Sequence, residues 1–124
     1  MKLQLEARTG QNAISAYGEG FIVVNETRHE TGLILLPDRI VTGWGLGGFG
    51  TLSAADFEQV RDLGPEVVMI GTGQRQRFPH PALVRPLIEA RIGYEAMDLQ
   101  AACRTYNILM AEGRRVIALL LQEG

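Results

Sequence analysis

The stretch GYEAMDLQAACRTYNILMAEGRRVIALLL, Gly93 to Leu121, reads as strand, helix and strand in succession. Leu99, Ala102, Cys103, Tyr106, Leu109 and Met110 recur at helical spacing and make one apolar face. Gln100, Arg104, Asn107 and Ala111 fall on the other. Asp98 stands where an N-cap carboxylate can accept from a first-turn N–H, and Gly113 ends the helix. Tyr94 to Met97 before it and Arg115 to Leu121 after it are short runs suited to strands.

Upstream the same alternation repeats. Leu83, Val84, Leu87 and Ile88 form a second helical stripe ending at Gly93. Pro86 is tolerated best in a first turn, so this helix is predicted to begin near Ala82 or Leu83. Val67 to Ile70, between Glu66 and Gly71, reads as a buried strand. Ser53 and Asp56 form a capping-box pattern ahead of Phe57, Val60 and Leu63, with Gly64-Pro65 as the stop. The first 42 residues differ: Ile14 and Ala16, then Phe21 to Val24, Leu33 to Leu36 and Arg39 to Thr42 are strand-like, separated by Gly18-Glu19-Gly20 and Pro37-Asp38 turns. The pattern predicts an α/β fold with α+β character in its N-terminal half: a β meander followed by α-β-α-β-α-β, with a mixed sheet covered by helices. No linker or repeat divides residues 1–124, so one domain is expected.

Composition bounds what such a chain does. At 124 residues it can bury a core without disulfides or metal. With 12 basic and 14 acidic residues, its net charge of −2 makes no demand for a polyanion, so nucleic acid is not an expected partner. Met1 to Gln11 alternates apolar and charged residues with no apolar h-region, and no apolar run approaches the roughly 20 residues of a spanning helix. A cytoplasmic protein without a transmembrane segment is the expectation. The single cysteine agrees with a reducing compartment.

Glycine is in excess, 15 of 124 residues. Gly45-Leu-Gly-Gly-Phe-Gly50 matches GxGxxG after a predicted strand, but the next helix signal starts only at Ser53, and Glu66 precedes the following strand instead of ending it. The favoured reading is a structural loop whose Trp44 and Phe49 pack onto the sheet. Gly71-Thr72-Gly73 follows a buried strand, and backbone N–H groups in such a turn can cradle an anion. No acidic residue occurs from Val67 to Ile88, whereas Arg75, Arg77 and Arg85 do, with His80. The alternative is that these arginines lie in a solvated loop, capping a helix or pairing with Glu66 or Glu89.

Catalytic and metal patterns are weak. Cys103 sits on an apolar helix face, where a thiol is inert. His29 and His80 lie in separate predicted loops, and no HxxxH, CxxC or DxD occurs, so no metal and no cofactor is expected. Glu95 and Asp98 bracket a strand-to-helix junction and could serve as acid and base. Alternatively Asp98 caps the helix and Glu95 pairs with Arg104 or Arg114.

Three segments carry a family resemblance: Glu66-Val-Val-Met-Ile-Gly-Thr-Gly73, Gly93-Tyr-Glu-Ala-Met-Asp98 and Ala101-Ala-Cys-Arg-Thr-Tyr-Asn-Ile-Leu109. Together they closely resemble the Mth938-like family of small domains of unknown function, which includes a mitochondrial respiratory complex I assembly factor and bacterial stand-alone proteins. The match runs from about Ala13 to Leu121, with Trp44 in its expected place. Leu99 stands where the resemblance leads one to expect a threonine in many relatives, a departure that weakens any role for a hydroxyl at that helix start. The resemblance implies three layers: a central mixed five-stranded sheet, helices on its faces and an additional β layer. For function it implies a non-enzymatic assembly or protein-binding module, with no catalytic residues to carry over. The expected surface comprises Gly71, Thr72, Gly73, Arg75, Arg77 and Phe78, with Glu95 nearby. The alternative is a small anionic ligand, or an unrecognised enzyme, at the Gly-Thr-Gly/Arg loop.

Overall fold

A computed structural model describes residues 10–122. The alternating N-terminal segment lies outside these up to residue 9. Three antiparallel strands come first: β1 (Ile14–Gly18), β2 (Phe21–Val24) and β3 (Thr27–His29), a small sheet in that order. Then follow β4 (Leu33–Leu36), β5 (Arg39–Thr42), α1 (Ala54–Asp62), β6 (Val67–Gly71), α2 (Pro81–Glu89), β7 (Gly93–Met97), α3 (Leu99–Ala111) and β8 (Val116–Leu120). The five later strands form a mixed sheet in the order β5-β4-β8-β6-β7. The pairs β6–β7 and β6–β8 are parallel; β4–β5 and β4–β8 are antiparallel. Strands β5, β6, β7 and β8 therefore all point the same way and end on one edge.

Alternation along the central strands divides the core in two. Leu33, Leu35, Met69, Val116, Ala118 and Leu120 face α3 and the small sheet, packing on Cys103, Tyr106, Met110, Ile14 and Ile22. Ile34, Leu36, Val68, Ile70, Ile117 and Leu119 face the opposite way, onto Phe57 and Val60 of α1 and Val84 and Leu87 of α2. Three layers result, as the resemblance implies: α1 and α2, the five-stranded sheet, then α3 with the small sheet. Every residue of β4 and β8 is buried, which is why both read as uninterrupted aliphatic runs.

Four local expectations are corrected. His29 lies in β3, a three-residue strand too short to alternate visibly. Helix α2 starts at Pro81, capped by His80, whose Nδ1 accepts from the Ala82 N–H at 3.0 Å. Pro81 takes the first position, where a missing N–H costs nothing, and Pro86 consequently falls inside the helix instead of in its first turn. The same helix stops at Glu89; the reversal is made by Arg91 at φ 60°, and Gly93 opens β7. Asn107, assigned by periodicity to the polar face of α3, is buried. Its Oδ1 accepts from the Ile14 N–H at 3.0 Å and its Nδ2 donates to the Ile14 carbonyl at 2.8 Å. The side chain pairs with β1 as a neighbouring strand would, satisfying backbone that no β-strand reaches. Beside it the Tyr106 hydroxyl donates to the Asn12 carbonyl at 2.8 Å, and burial raises its pKa.

Candidate functional site

Two glycine-rich loops leave the common strand-end edge of the sheet, one after β5 and one after β6. The first is built for packing. Trp44 is buried, its backbone N–H bonded to the Gly32 carbonyl at 3.0 Å. A methyl group on Gly32 would stand 2.1 Å from the Trp44 carbonyl oxygen. Gly45, at φ +68°, lies so near Leu121 that a Cβ there would come within 2.3 Å of Cδ2. Half-buried Phe49 packs against the α1/α2 side of the core. Phe49–Thr51 form only a 3-10 turn, and α1 begins at Ala54. The GxGxxG string thus opens no helix, and of its glycines Gly45 permits close approach to Leu121 at the end of the sheet.

The second loop is organised around Thr72, a fully buried polar residue. Its Oγ1 accepts from the Arg77 N–H at 3.0 Å and lies 2.7 Å from the Arg75 carbonyl and 3.2 Å from that of Met97. The Thr72 N–H is itself spent on the Met97 carbonyl at 2.8 Å, and the Gly73 carbonyl accepts from Leu99 N at 2.7 Å. The loop is thereby tied to the end of β7 and the start of α3. A Cβ on Gly71 would lie 3.0 Å from that of Ala102, so β6 ends tightly against α3. Gln76 Nε2 donates to the Ala96 carbonyl at 2.8 Å, covering part of the open edge of β7.

What this frame holds outward is basic and aromatic. Arg75, Gln76 and Arg85 are exposed. Phe78 is 78% exposed, the most accessible of the large apolar side chains among the described residues. The Arg77 guanidinium lies 5.7 Å from the ring centroid of Phe49, linking the two loops by a cation–π contact at the outer limit of its range. Glu95 is exposed on β7, one residue from the Ala96 carbonyl that Gln76 reaches. The structure therefore joins Thr72, Arg75 and Arg77 through hydrogen bonds and sets Phe78 beside them.

Several pairings differ from those anticipated. Arg114 pairs with Glu66 at 3.1 Å, and Arg104 donates to the Tyr17 hydroxyl at 3.0 Å; neither is placed on Glu95. The Arg115 N–H, then the Arg114 guanidinium, hold the Glu66 carboxyl below its ordinary pKa. Asp98 caps α3, its Oδ1 accepting from Ala101 N at 2.9 Å. Burial pushes the Cys103 thiol up to about 12, so it stays protonated at neutral pH, inert as its helix face implied. The role of Asn107 carries no signal in sequence, because an amide's role is decided by which backbone groups the fold brings to it.

The family described as "Protein of unknown function (DUF498/DUF598)" matches residues 14–121. The chain belongs to that family. A crystal structure from Bordetella parapertussis is 45% identical, with a TM-score of 0.86, covering 93% of this chain and 98% of that one. A solution structure of a Mth938-like domain from Bordetella pertussis is 38% identical, with a TM-score of 0.82, covering 100% and 94%. The resemblance carried by the three motifs therefore holds. The bovine NADH dehydrogenase [ubiquinone] 1 alpha subcomplex assembly factor 3 is 33% identical over 110 residues, 87% of this chain and 59% of that protein. The chain thus spans about three-fifths of that relative's length. No helix among the described residues is long and apolar enough to cross a membrane.

Proposed function

We propose that this chain is a non-enzymatic assembly module that docks a protein partner through the loop after β6. The observation that carries it is Phe78, standing in solvent among arginines on a loop whose backbone is otherwise bonded inward. Leaving an aromatic ring in water gives up burial of about 1.5–3 kcal/mol, and aromatic and arginine side chains are the usual anchors of interfaces. Gly71, Thr72 and Gly73 form the frame, Arg75, Arg77 and Phe78 the contact surface, and Glu95 its acidic margin. The likeness to an assembly factor of the NADH dehydrogenase complex supports this reading and suggests a respiratory-complex subunit as the class of partner. The site of action under this reading is the cytoplasm, where a lone thiol stays reduced.

Affinity capture from the native lysate tests it. A stoichiometric partner should be retained by the wild type and released by Phe78→Ala and by Arg75→Ala with Arg77→Ala, all of which keep the wild-type circular dichroism. Recovery of background only, or equal retention by these variants, would refute the proposal.

A further inference from the structure

A second site lies on the same edge, around the corner from Phe78. The chain leaves β6 through α2, on the α1/α2 face, to reach β7. It leaves β7 through α3, on the other face, to reach β8 on the far side of β6. The β6–β7 boundary is therefore the point where the connections leaving two adjacent strands depart to opposite faces, and in open α/β sheets ligands bind outside the carboxyl ends of the strands at such a point.

The structure has a cleft there, with a volume of about 380 Å³, within the range of small-molecule sites. The ends of β6, β7 and β8 each supply part of its wall: Gln74 after β6, Asp98 and Gln100 after β7, and Gln122 after β8, while Glu19 closes it from the β1–β2 turn. Of these side chains the sequence points only to Asp98, as a helix cap or an acid–base partner of Glu95, and Arg75, Arg77 and Phe78 do not line the cleft.

The lining decides the ligand's charge. It contains two carboxylates and no lysine, arginine or histidine. The nearby Arg104 is directed to the Tyr17 hydroxyl. The Gln122 amide nitrogen lies 2.9 Å from the His29 carbonyl and 3.2 Å from that of Thr31; its Oε1 is buried without a hydrogen-bond partner among the described residues. The Gln122 side chain is thus anchored through its nitrogen and adds no charge to the wall. A phosphate or carboxylate ligand would meet two like charges and no cation. An ammonium group brings three donors and the opposite charge.

We infer that this cleft binds a small protonated amine. The cleft shares only Gln74 with the docking loop and none of its contact residues, so either proposal can fail alone.

Titration of the ¹⁵N-labelled protein with putrescine is the test, with inorganic phosphate and methyl glucoside as parallel arms. Putrescine should give saturable shifts at the Glu19, Gln74, Leu99 and Gln100 amides, and the other two none. Glu19→Gln combined with Asp98→Asn, which keeps the helix cap, should weaken binding at least about tenfold, or about 1.4 kcal/mol. Should the double variant melt early, Glu19→Gln alone, in an exposed turn, should still weaken it measurably. Non-saturating shifts scattered over surface carboxylates, equal shifts with phosphate or glucoside, or unchanged affinity in Glu19→Gln would overturn the inference.

Discussion

The loops after β5 and β6 leave the same edge of one sheet, both are rich in glycine, and they serve opposite ends. In the first, glycine permits close approach: Gly32, just before β4, lies against the Trp44 carbonyl, and Gly45 against the Leu121 side chain. Its aromatic side chains Trp44 and Phe49 turn inward, and only Leu46 stands out at its tip. In the second, the backbone is held by one buried hydroxyl, that of Thr72, while Arg75 and Phe78 turn outward. Glycine content alone cannot distinguish a loop that packs from a loop that presents. The difference lies in which way the bulky neighbours face.

Substitutions that challenge each half of this contrast differ in size. Gly32→Ala should be the most damaging, because the added methyl meets fixed backbone 2.1 Å away instead of a movable side chain. Chemical denaturation should show a loss of about 3 kcal/mol or a failure to fold. Thr72→Val should cost about 1–3 kcal/mol, since the isosteric methyl leaves the Arg77 N–H and the Arg75 carbonyl without their partner. Amide exchange should then rise across residues 72–78 and stay unchanged in the first loop. Gly45→Ala should cost about 1–2 kcal/mol, from its left-handed backbone and the displacement of Leu121. Phe78→Ala should leave stability within about 0.5 kcal/mol of wild type, because its ring makes no part of the core. A clear loss there would mean that the second loop also packs, and the contrast would collapse.

The order and type of the elements were legible because β4, β6 and β8 are continuous aliphatic runs and α1 and α3 carry their caps in sequence, Ser53 with Asp56 and Asp98. The Ser53 N–H bonds Asp56 Oδ2 at 2.8 Å. Elements set by tertiary contact were not. Asn107 looks solvent-facing until β1 crosses α3, and the end of α2 is decided by Arg91 in a conformation unusual for its type. At the candidate site the residue types of the second loop were legible as a cationic, glycine-flanked turn. The role of Thr72 as its hub was not, since it depends on the Met97, Arg75 and Arg77 backbone meeting at one hydroxyl. The cleft was invisible because its wall is drawn from turns far apart in the chain.

The most direct measurement compares photocrosslinking from position 78 with photocrosslinking from position 46, the exposed apolar tips of the two loops. With the crosslinker replacing Phe78, a single partner should be captured in a discrete adduct, and with it replacing Leu46, none. An adduct from position 46 alone, or no adduct from position 78, would contradict the assignment of the β6 loop as the docking surface.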